Sequence, residues 1–166
     1  MKKHKKQNKK RGFSLIELLI VVAIILIIAA IAIPNLLRSR IAANEASAVG
    51  SLRTLNTAEI TYNTTYPNAG FACTLGVLGG SGSGTATSTA AGLIDANLAS
   101  GVKSGYSFSF LSTGGCTGTP APSYATYASP VTAGTTGQRY FCSDSSGVIQ
   151  YGTGVISTCG TSTNPI

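Results

Sequence analysis

The sequence is poor in the side chains on which enzymes and metal sites depend. Of its 166 residues none is Trp, one is His and five are Asp or Glu. Charged residues make up 10% of the chain, against ~25% in an average globular domain. The acidic residues beyond Glu17 give no paired-carboxylate or metal-ligand spacing, and His4 is the only imidazole that could act as a base. We therefore expect a protein that is not an enzyme, with no metal site, no cofactor and no small-molecule substrate.

The basic residues are concentrated at the N-terminus. Residues 1–12, MKKHKKQNKKRG, contain seven of the twelve Lys and Arg residues and no acid. The remaining five basic residues balance the five acidic ones, so residues 13–166 have a formal net charge of zero. The overall charge of +7 therefore belongs to a short arm and does not indicate a nucleic-acid-binding face.

A long apolar run follows the basic arm. In residues 13–33, FSLIELLIVVAIILIIAAIAI, only Ser14 and Glu17 are polar. As a helix this run is ~30 Å long, which is the thickness of a membrane's hydrocarbon core. The basic arm predicts that the N-terminus stays in the cytoplasm and that residues beyond Ile33 lie across the membrane. The run is longer than the apolar core of a conventional signal peptide, for which Ala30-Ile31-Ala32 would be the cleavage site.

Glu17 is the unusual residue of this run. A carboxylate within a spanning helix costs of order 3 kcal/mol unless it has a partner. No other ionisable side chain occurs between residues 12 and 37, so side chains of the same run provide no partner. Cleavage after Gly12 would create an α-amino group at Phe13, which is a suitable cation.

Residues 9–25, KKRGFSLIELLIVVAII, resemble the class III signal of type IV prepilins and pseudopilins. The resemblance extends over AIPN at residues 32–35 and AANEA at residues 42–46, and it covers residues 9 to about 60. It implies that a prepilin peptidase cuts between Gly12 and Phe13 and N-methylates Phe13. It also implies that Glu17 meets the Phe13 amine of a neighbouring subunit and thereby sets the register of filament assembly.

Residues 35–66 continue the helix with an amphipathic pattern. The apolar stripe has helical spacing and comprises Leu37, Ile41, Ala48, Leu52, Leu55, Glu59, Tyr62 and Tyr66, with Val49 and Ile60 beside it. The residues expected largely off the stripe are Arg38, Arg40, Asn44, Arg53 and Asn56. We predict one helix from Phe13 to about Tyr66. Pro34 is expected to kink or locally melt it, because proline cannot donate the bond to the Ala30 carbonyl, and we favour a hinge there.

Residues 67–166 have only four charged residues and are rich in Gly, Ser and Thr. The predicted elements are a loop over Gly79–Gly92, a short helix over Leu93–Ser100 ended by Gly101, strands over Tyr106–Phe110 and Tyr124–Ser129, and a hairpin of Arg139–Ser143 with Val148–Tyr151. We therefore predict an α+β protein in which the long helix packs on a small antiparallel sheet, as in the pilin fold.

Cys73, Cys116, Cys142 and Cys159 all lie in the segment predicted to be extracytoplasmic. None forms a C-x-x-C motif, and an oxidising compartment favours disulfides over a zinc site. Three pairings are possible. We favour Cys142–Cys159 with Cys73–Cys116, because the first pair closes a C-terminal loop over the predicted hairpin, which resembles the C-terminal disulfide-bounded region of many type IV pilins.

The resemblance implies a structural filament subunit that polymerises through its N-terminal helix and serves adhesion, twitching motility or DNA uptake. The expected organisation is a cleaved basic leader (1–12), a membrane and filament-core helix (13–34), an amphipathic helix (35–66) and a head with disulfides (67–166). The implied partners are copies of the chain, the prepilin peptidase, an inner-membrane assembly platform, minor pilins and, before assembly, the membrane itself. The precursor would lie in the inner membrane with a periplasmic head, and the filament would be extracellular.

Three other hypotheses stay open at this point. The first is a pseudopilin of a type II secretion system. The second is a bitopic membrane protein that keeps its leader, and the third is a soluble binding protein released after Ala32.

Overall fold

The computed structural model describes residues 12–80, 84–111, 116, 119–160 and 163–166. His4 and the rest of the basic arm up to Arg11 lie outside these residues, as do positions 81–83 of the predicted loop. The helices of the described part are α1 (Leu15–Thr65), α2 (Leu75–Leu78) and α3 (Ala96–Ala99). Its strands are β1 (Val102–Lys103), β2 (Tyr106–Phe110), β3 (Ala125–Pro130), β4 (Tyr140–Asp144), β5 (Ile149–Gly152) and β6 (Asn164–Pro165).

The chain divides into two compact units, one that ends at Arg38 and one that comprises Ser39–Ile166. In the first unit every Leu, Ile and Val from Leu15 to Leu37 is exposed. By length and composition α1 is able to cross a membrane, and nothing in its most apolar stretch is buried. An apolar helix of this kind requires a lipid or protein environment.

Pro34 lies inside α1, which remains helical on both sides of it. Of the predicted kink or local melting at this position, the melting is therefore wrong for the isolated chain, and the kink stays a prediction. A proline removes one backbone hydrogen bond, and a long helix persists because the flanking turns keep theirs. A hinge that forms at Pro34 only during assembly stays a prediction.

The second unit contains the buried face of α1. Six residues of the predicted stripe are buried, namely Ile41, Ala48, Leu52, Leu55, Glu59 and Tyr62. Leu37 and Ile60 are instead exposed, by 44% and 59%. The placement of Asn56 off the stripe is wrong, because its side chain is buried and hydrogen-bonded to the sheet. Glu45, Ser51 and Ala58 are also buried.

The six strands form an antiparallel meander in the order β1-β2-β3-β4-β5-β6. Cross-strand pairs Phe108↔Ala128 and Ala128↔Phe141 place these three side chains on one face of the sheet. They join the buried residues of α1, including Leu52 and Leu55, in a single hydrophobic core. This arrangement confirms the predicted α+β class.

The predicted strands match β2 to the residue and β3, β4 and β5 within one or two residues. The short helix is narrower than predicted, because Asp95 caps it: its carboxylate accepts the Leu98 N–H at 3.1 Å. Gly101, at φ +86°, follows the helix end as predicted. The elements α2, β1 and β6 were not predicted, since each has only two to four residues and no recognisable periodicity.

The four cysteines form two disulfides. Cys73 is bonded to Cys116 with Cα atoms 5.4 Å apart, and Cys142 is bonded to Cys159 with Cα atoms 5.9 Å apart. These are the two pairs predicted from the sequence. The first closes a loop of sequence separation 43 and the second one of 17.

Candidate functional site

The candidate site at the N-terminus consists of Gly12, Phe13 and Glu17. All three are exposed, and a Cβ placed on Gly12 would meet no atom within 4 Å. Nothing in the described part of the chain therefore requires glycine at this position.

Glu17 is the third residue of α1, and its Oε2 accepts the backbone N–H of Ser14 at 2.9 Å. A Ser followed three residues later by Glu is the sequence of a capping box, in which the Glu side chain satisfies a free N–H at the helix start. The positive end of the helix dipole further favours a carboxylate there. The carboxylate thus has a partner on its own chain.

This partner was missed in the sequence analysis, which considered only side chains. The Ser14-Leu15-Ile16-Glu17 pattern was the signal that could have predicted it. An N–H group offers a hydrogen bond but no full positive charge, so the need for a cation in an apolar environment remains.

Pro34 is the other residue predicted to act in assembly, and the structure does not bring it near Glu17. It lies 17 residues further along the same helix. At 1.5 Å per residue this is about 26 Å along the axis. Within one chain, Pro34 and Glu17 are therefore too far apart to contact each other.

Glu45 holds the connection before β4 against α1. Its Oε1 accepts the backbone N–H groups of Gln138 (2.9 Å) and Arg139 (3.2 Å), and its Oε2 accepts Nε of Arg139 at 2.7 Å. Burial would raise the pKa of Glu45, but these hydrogen bonds and the guanidinium charge outweigh it and hold the pKa below its usual value. The Arg139 guanidinium also lies over the rings of Phe141 and Tyr151.

Glu59 is fully buried on the same helix. Its Oε2 accepts the N–H of Ala72 at 2.8 Å, whereas no partner for Oε1 exists among the described residues. Burial raises the pKa of Glu59 to about 7, although the backbone N–H groups of Ala72 and Cys73 oppose this. At neutral pH this carboxyl is therefore divided between its two protonation states.

Asn56 links α1 to the β4–β5 hairpin. Its amide donates to Ser143 Oγ at 2.8 Å and to the Gly147 carbonyl at 3.3 Å, and its carbonyl oxygen accepts the Tyr124 hydroxyl at 3.2 Å. Ser143 in turn donates to the Val148 carbonyl at 3.1 Å. This satisfied polar network fixes the base of the hairpin turn on the helix.

The charged and cysteine side chains of the described residues do not converge on a metal site. No group of three His, Cys, Asp or Glu residues among them is placed to hold an ion.

Comparison with known proteins bears on the N-terminal site. A family model described as the prokaryotic N-terminal methylation motif matches residues 7–33. The chain is 51% identical over 51 residues to the type IV major pilin protein PilA of Myxococcus xanthus (strain DK1622). That alignment covers 31% of this chain and 23% of the relative, so the chain matches only about a quarter of the relative's length. No solved structure matches the chain.

These matches confirm the resemblance to type IV pilins in the segment that contains Gly12, Phe13 and Glu17.

Proposed function

We propose that this chain is a structural subunit of a type IV pilus filament. The observation that carries the proposal is Glu17, which stands in the N-terminal methylation motif at the start of a helix whose Leu, Ile and Val side chains are all exposed as far as Leu37. Such a helix is stable in a membrane and later against copies of itself. A single carboxylate at the start of the helix gives neighbouring copies one polar contact, which can fix their register along the helix axis.

In this proposal the prepilin peptidase cuts the peptide bond between Gly12 and Phe13 and N-methylates the new amine of Phe13. The Glu17 carboxylate of one copy then pairs with the Phe13 amine of its neighbour. Its Oε2 already accepts the Ser14 N–H, which leaves Oε1 for the neighbour's ammonium group. In apolar surroundings this ion pair removes two isolated charges at once, and a helix in the wrong register would leave both unpaired.

The proposal also assigns locations and partners. The precursor lies in the inner membrane with its head in the periplasm, and the assembled filament is extracellular. The helices form the filament core and the heads its surface. The assembly platform and minor pilins act as partners, and adhesion, twitching motility or DNA uptake is the purpose of the filament. The chain has a structural role and no catalytic one.

The intact mass and the N-terminal sequence of the mature chain test this proposal. We expect a chain that begins with N-methyl-Phe13 and has lost residues 1–12. A mature chain that still begins with Met1 would contradict it and favour a bitopic membrane protein. Sheared surface filaments that contain the chain would separate a pilin from a pseudopilin of a type II secretion system.

Substitution of Glu17 tests the mechanism. Glu17→Gln keeps an oxygen that can accept the Ser14 N–H but has no charge, whereas Glu17→Ala loses both. Because the motif that precedes the cut is intact, we expect both variants to be processed at Gly12–Phe13. We expect neither to form filaments, since the amine of Phe13 needs a negative partner. Filaments of Glu17→Gln at the parental yield would show that the charge is not required.

A further inference from the structure

Half of the charged side chains of the unit Ser39–Ile166 form ion pairs within the unit. Arg139 pairs with Glu45 (Nε to Oε2, 2.7 Å), and Lys103 pairs with Asp95 (Nζ to Oδ2, 2.8 Å). Glu59 is fully buried. Among the described residues of this unit, the side chains without an ion pair are two cations, Arg40 and Arg53, and two carboxyl groups, Glu59 and Asp144. Because Glu59 is buried, Asp144 is the only one of the two carboxyl groups that another molecule can reach.

Arg53 lies at an open groove of about 330 Å³ beside α1. The groove is lined by Arg53, Thr54, Thr57, Ala58, Thr61 and Leu93. The hydroxyls of Thr57 and Thr61 donate to the carbonyls of Arg53 and Thr57 on their own helix, and each hydroxyl oxygen can still accept a hydrogen bond. The groove therefore combines a cation, hydroxyl acceptors and the apolar side chains of Ala58 and Leu93.

Asp144 lies at the start of the exposed turn between β4 and β5, and Ser145, Ser146 and Gly147 complete that turn. Asp144 Oδ1 accepts both the N–H and the hydroxyl of Ser146, while no partner for Oδ2 occurs in the described residues. The Asn56 network fixes the base of the turn. The turn is thus an exposed segment of small residues, fixed by hydrogen bonds, and its carboxylate has no ion pair among the described residues.

We propose that the Asp144 turn of one copy docks into the Arg53 groove of a second copy, where Oδ2 of Asp144 accepts the guanidinium N–H groups of Arg53. Charge complementarity supports this choice of occupant, because Arg53 and Asp144 have opposite charges and neither forms an ion pair among the described residues of its own chain. The inference rests on the proposed function of a filament subunit. Because the groove and the turn are different surfaces, a copy that engages one neighbour through its groove and another through its turn forms a head-to-tail contact, which is able to propagate along a filament.

Charge reversal of the two residues provides the test. Arg53→Glu or Asp144→Arg places two like charges at every contact, and we expect each to lower the yield of sheared filaments about tenfold. The double variant Arg53→Glu/Asp144→Arg restores opposite charges, and we expect a yield within about twofold of the parent. Asp144→Asn can still accept the hydrogen bonds from Ser146 but has no charge. Its filament yield should lie between that of the parent and that of Asp144→Arg. In each strain we would also measure the total amount of the chain, its N-terminal sequence and its intact mass under non-reducing conditions, which reports whether both disulfides have formed.

Co-expression of the two single variants separates a contact between copies from one within a copy. If the contact joins two copies, the Arg53→Glu groove accepts the Asp144→Arg turn, and the two unchanged surfaces accept each other, so filament yield recovers. A contact within one chain predicts no recovery. Arg40→Glu is the matched control: it reverses the other unpaired cation, and its combination with Asp144→Arg should not restore filaments.

Single variants that assemble like the parent, a double variant no better than the single ones, or co-expression without recovery would each overturn the inference. Any of these outcomes in a parent strain that makes filaments of N-methyl-Phe13 chains would leave the proposed function standing. A parent chain that is not processed and forms no filaments would instead contradict the proposed function itself.

Discussion

At the scale of single residues, two buried glutamates on one face of α1 show that the supply of partners, not burial, decides the protonation of a carboxyl. Glu45 accepts two backbone N–H groups and the charged Nε of Arg139, and its pKa is lowered. Glu59 accepts one N–H, and burial raises its pKa to about 7. Burial raises the pKa of both residues, and only at Glu45 do the hydrogen bonds and the nearby positive charge outweigh it.

The raised pKa of Glu59 predicts a pH dependence of stability. The pKa is about 7 in the folded chain against a reference of 4.5, so the folded state binds the proton more tightly. Stability from this group is fully present below pH 4.5 and is lost as the pH rises to 7. We expect a loss of order 3 kcal/mol in the free energy of unfolding, measured by urea denaturation of the detergent-solubilised chain with tyrosine fluorescence.

Glu59→Gln should remove most of this loss between pH 4.5 and 7, because the amide does not titrate. Glu45→Gln is the matched control on the same helix. The lowered pKa of Glu45 means that its contribution disappears as the pH falls, so this variant should leave the slope near neutral pH unchanged. Equal slopes for the parent and Glu59→Gln would contradict the assignment to Glu59.

At the scale of elements, the sequence predicts which residues are buried because of their helical spacing. It does not predict which residues are buried because a loop distant in sequence supplies their hydrogen-bond partners. The helical spacing of Leu52, Leu55 and Tyr62 predicts their burial correctly, because one face of α1 must cover the sheet. Asn56 follows no such rule, since its partners Ser143 and Gly147 lie about ninety positions away in the chain. A polar residue is buried only where the fold supplies partners, and one sequence segment does not contain that information.

The same reasoning applies to the candidate site. Glu17 and its neighbours could be predicted because their motif is local. The bond from Ser14 was equally local and was available from the capping-box pattern. By contrast, the Arg53 groove is completed by Leu93, which comes from another part of the chain, and no pattern near Arg53 indicates it.

Pro34 gives a prediction for α1 as an element. The helix is continuous through Pro34 in the isolated chain, so any melting there must be induced by assembly. Pro34→Ala restores the missing bond to the Ala30 carbonyl and favours the helix by about 3 kcal/mol, which raises the cost of local unwinding. We expect normal processing at Gly12–Phe13 and a reduced yield of sheared filaments. Ile33→Ala, an adjacent change that keeps Pro34, controls for the lost apolar surface. A filament yield of Pro34→Ala equal to that of the parent would contradict the hinge.

At the scale of the whole molecule, residues 13–166 have no formal net charge, and the head at residues 67–166 has few charged groups to hold distant segments together. The polar loops of the head are rich in Gly, Ser and Thr and bury little apolar surface beyond the core between α1 and the sheet. Disulfide bonds therefore have to hold together the loop segments that hydrophobic packing does not fix. The Cys73–Cys116 bond ties the segment after α1 to the connection before β3, and Cys142–Cys159 ties β4 to the C-terminal segment.

The two disulfides should differ in their contribution because they close loops of different length, with sequence separations of 43 and 17. In the chain-entropy model, loss of the longer loop costs about 4 kcal/mol and loss of the shorter one about 3 kcal/mol. We expect Cys73→Ala/Cys116→Ala to lower the free energy of unfolding in urea more than Cys142→Ala/Cys159→Ala, with the parent unfolded under non-reducing conditions as the reference. The reverse order would mean that native contacts around Cys142, which is fully buried in β4, outweigh the constraint on the unfolded chain. The head would then depend more on its C-terminal loop than on the link between α1 and the sheet.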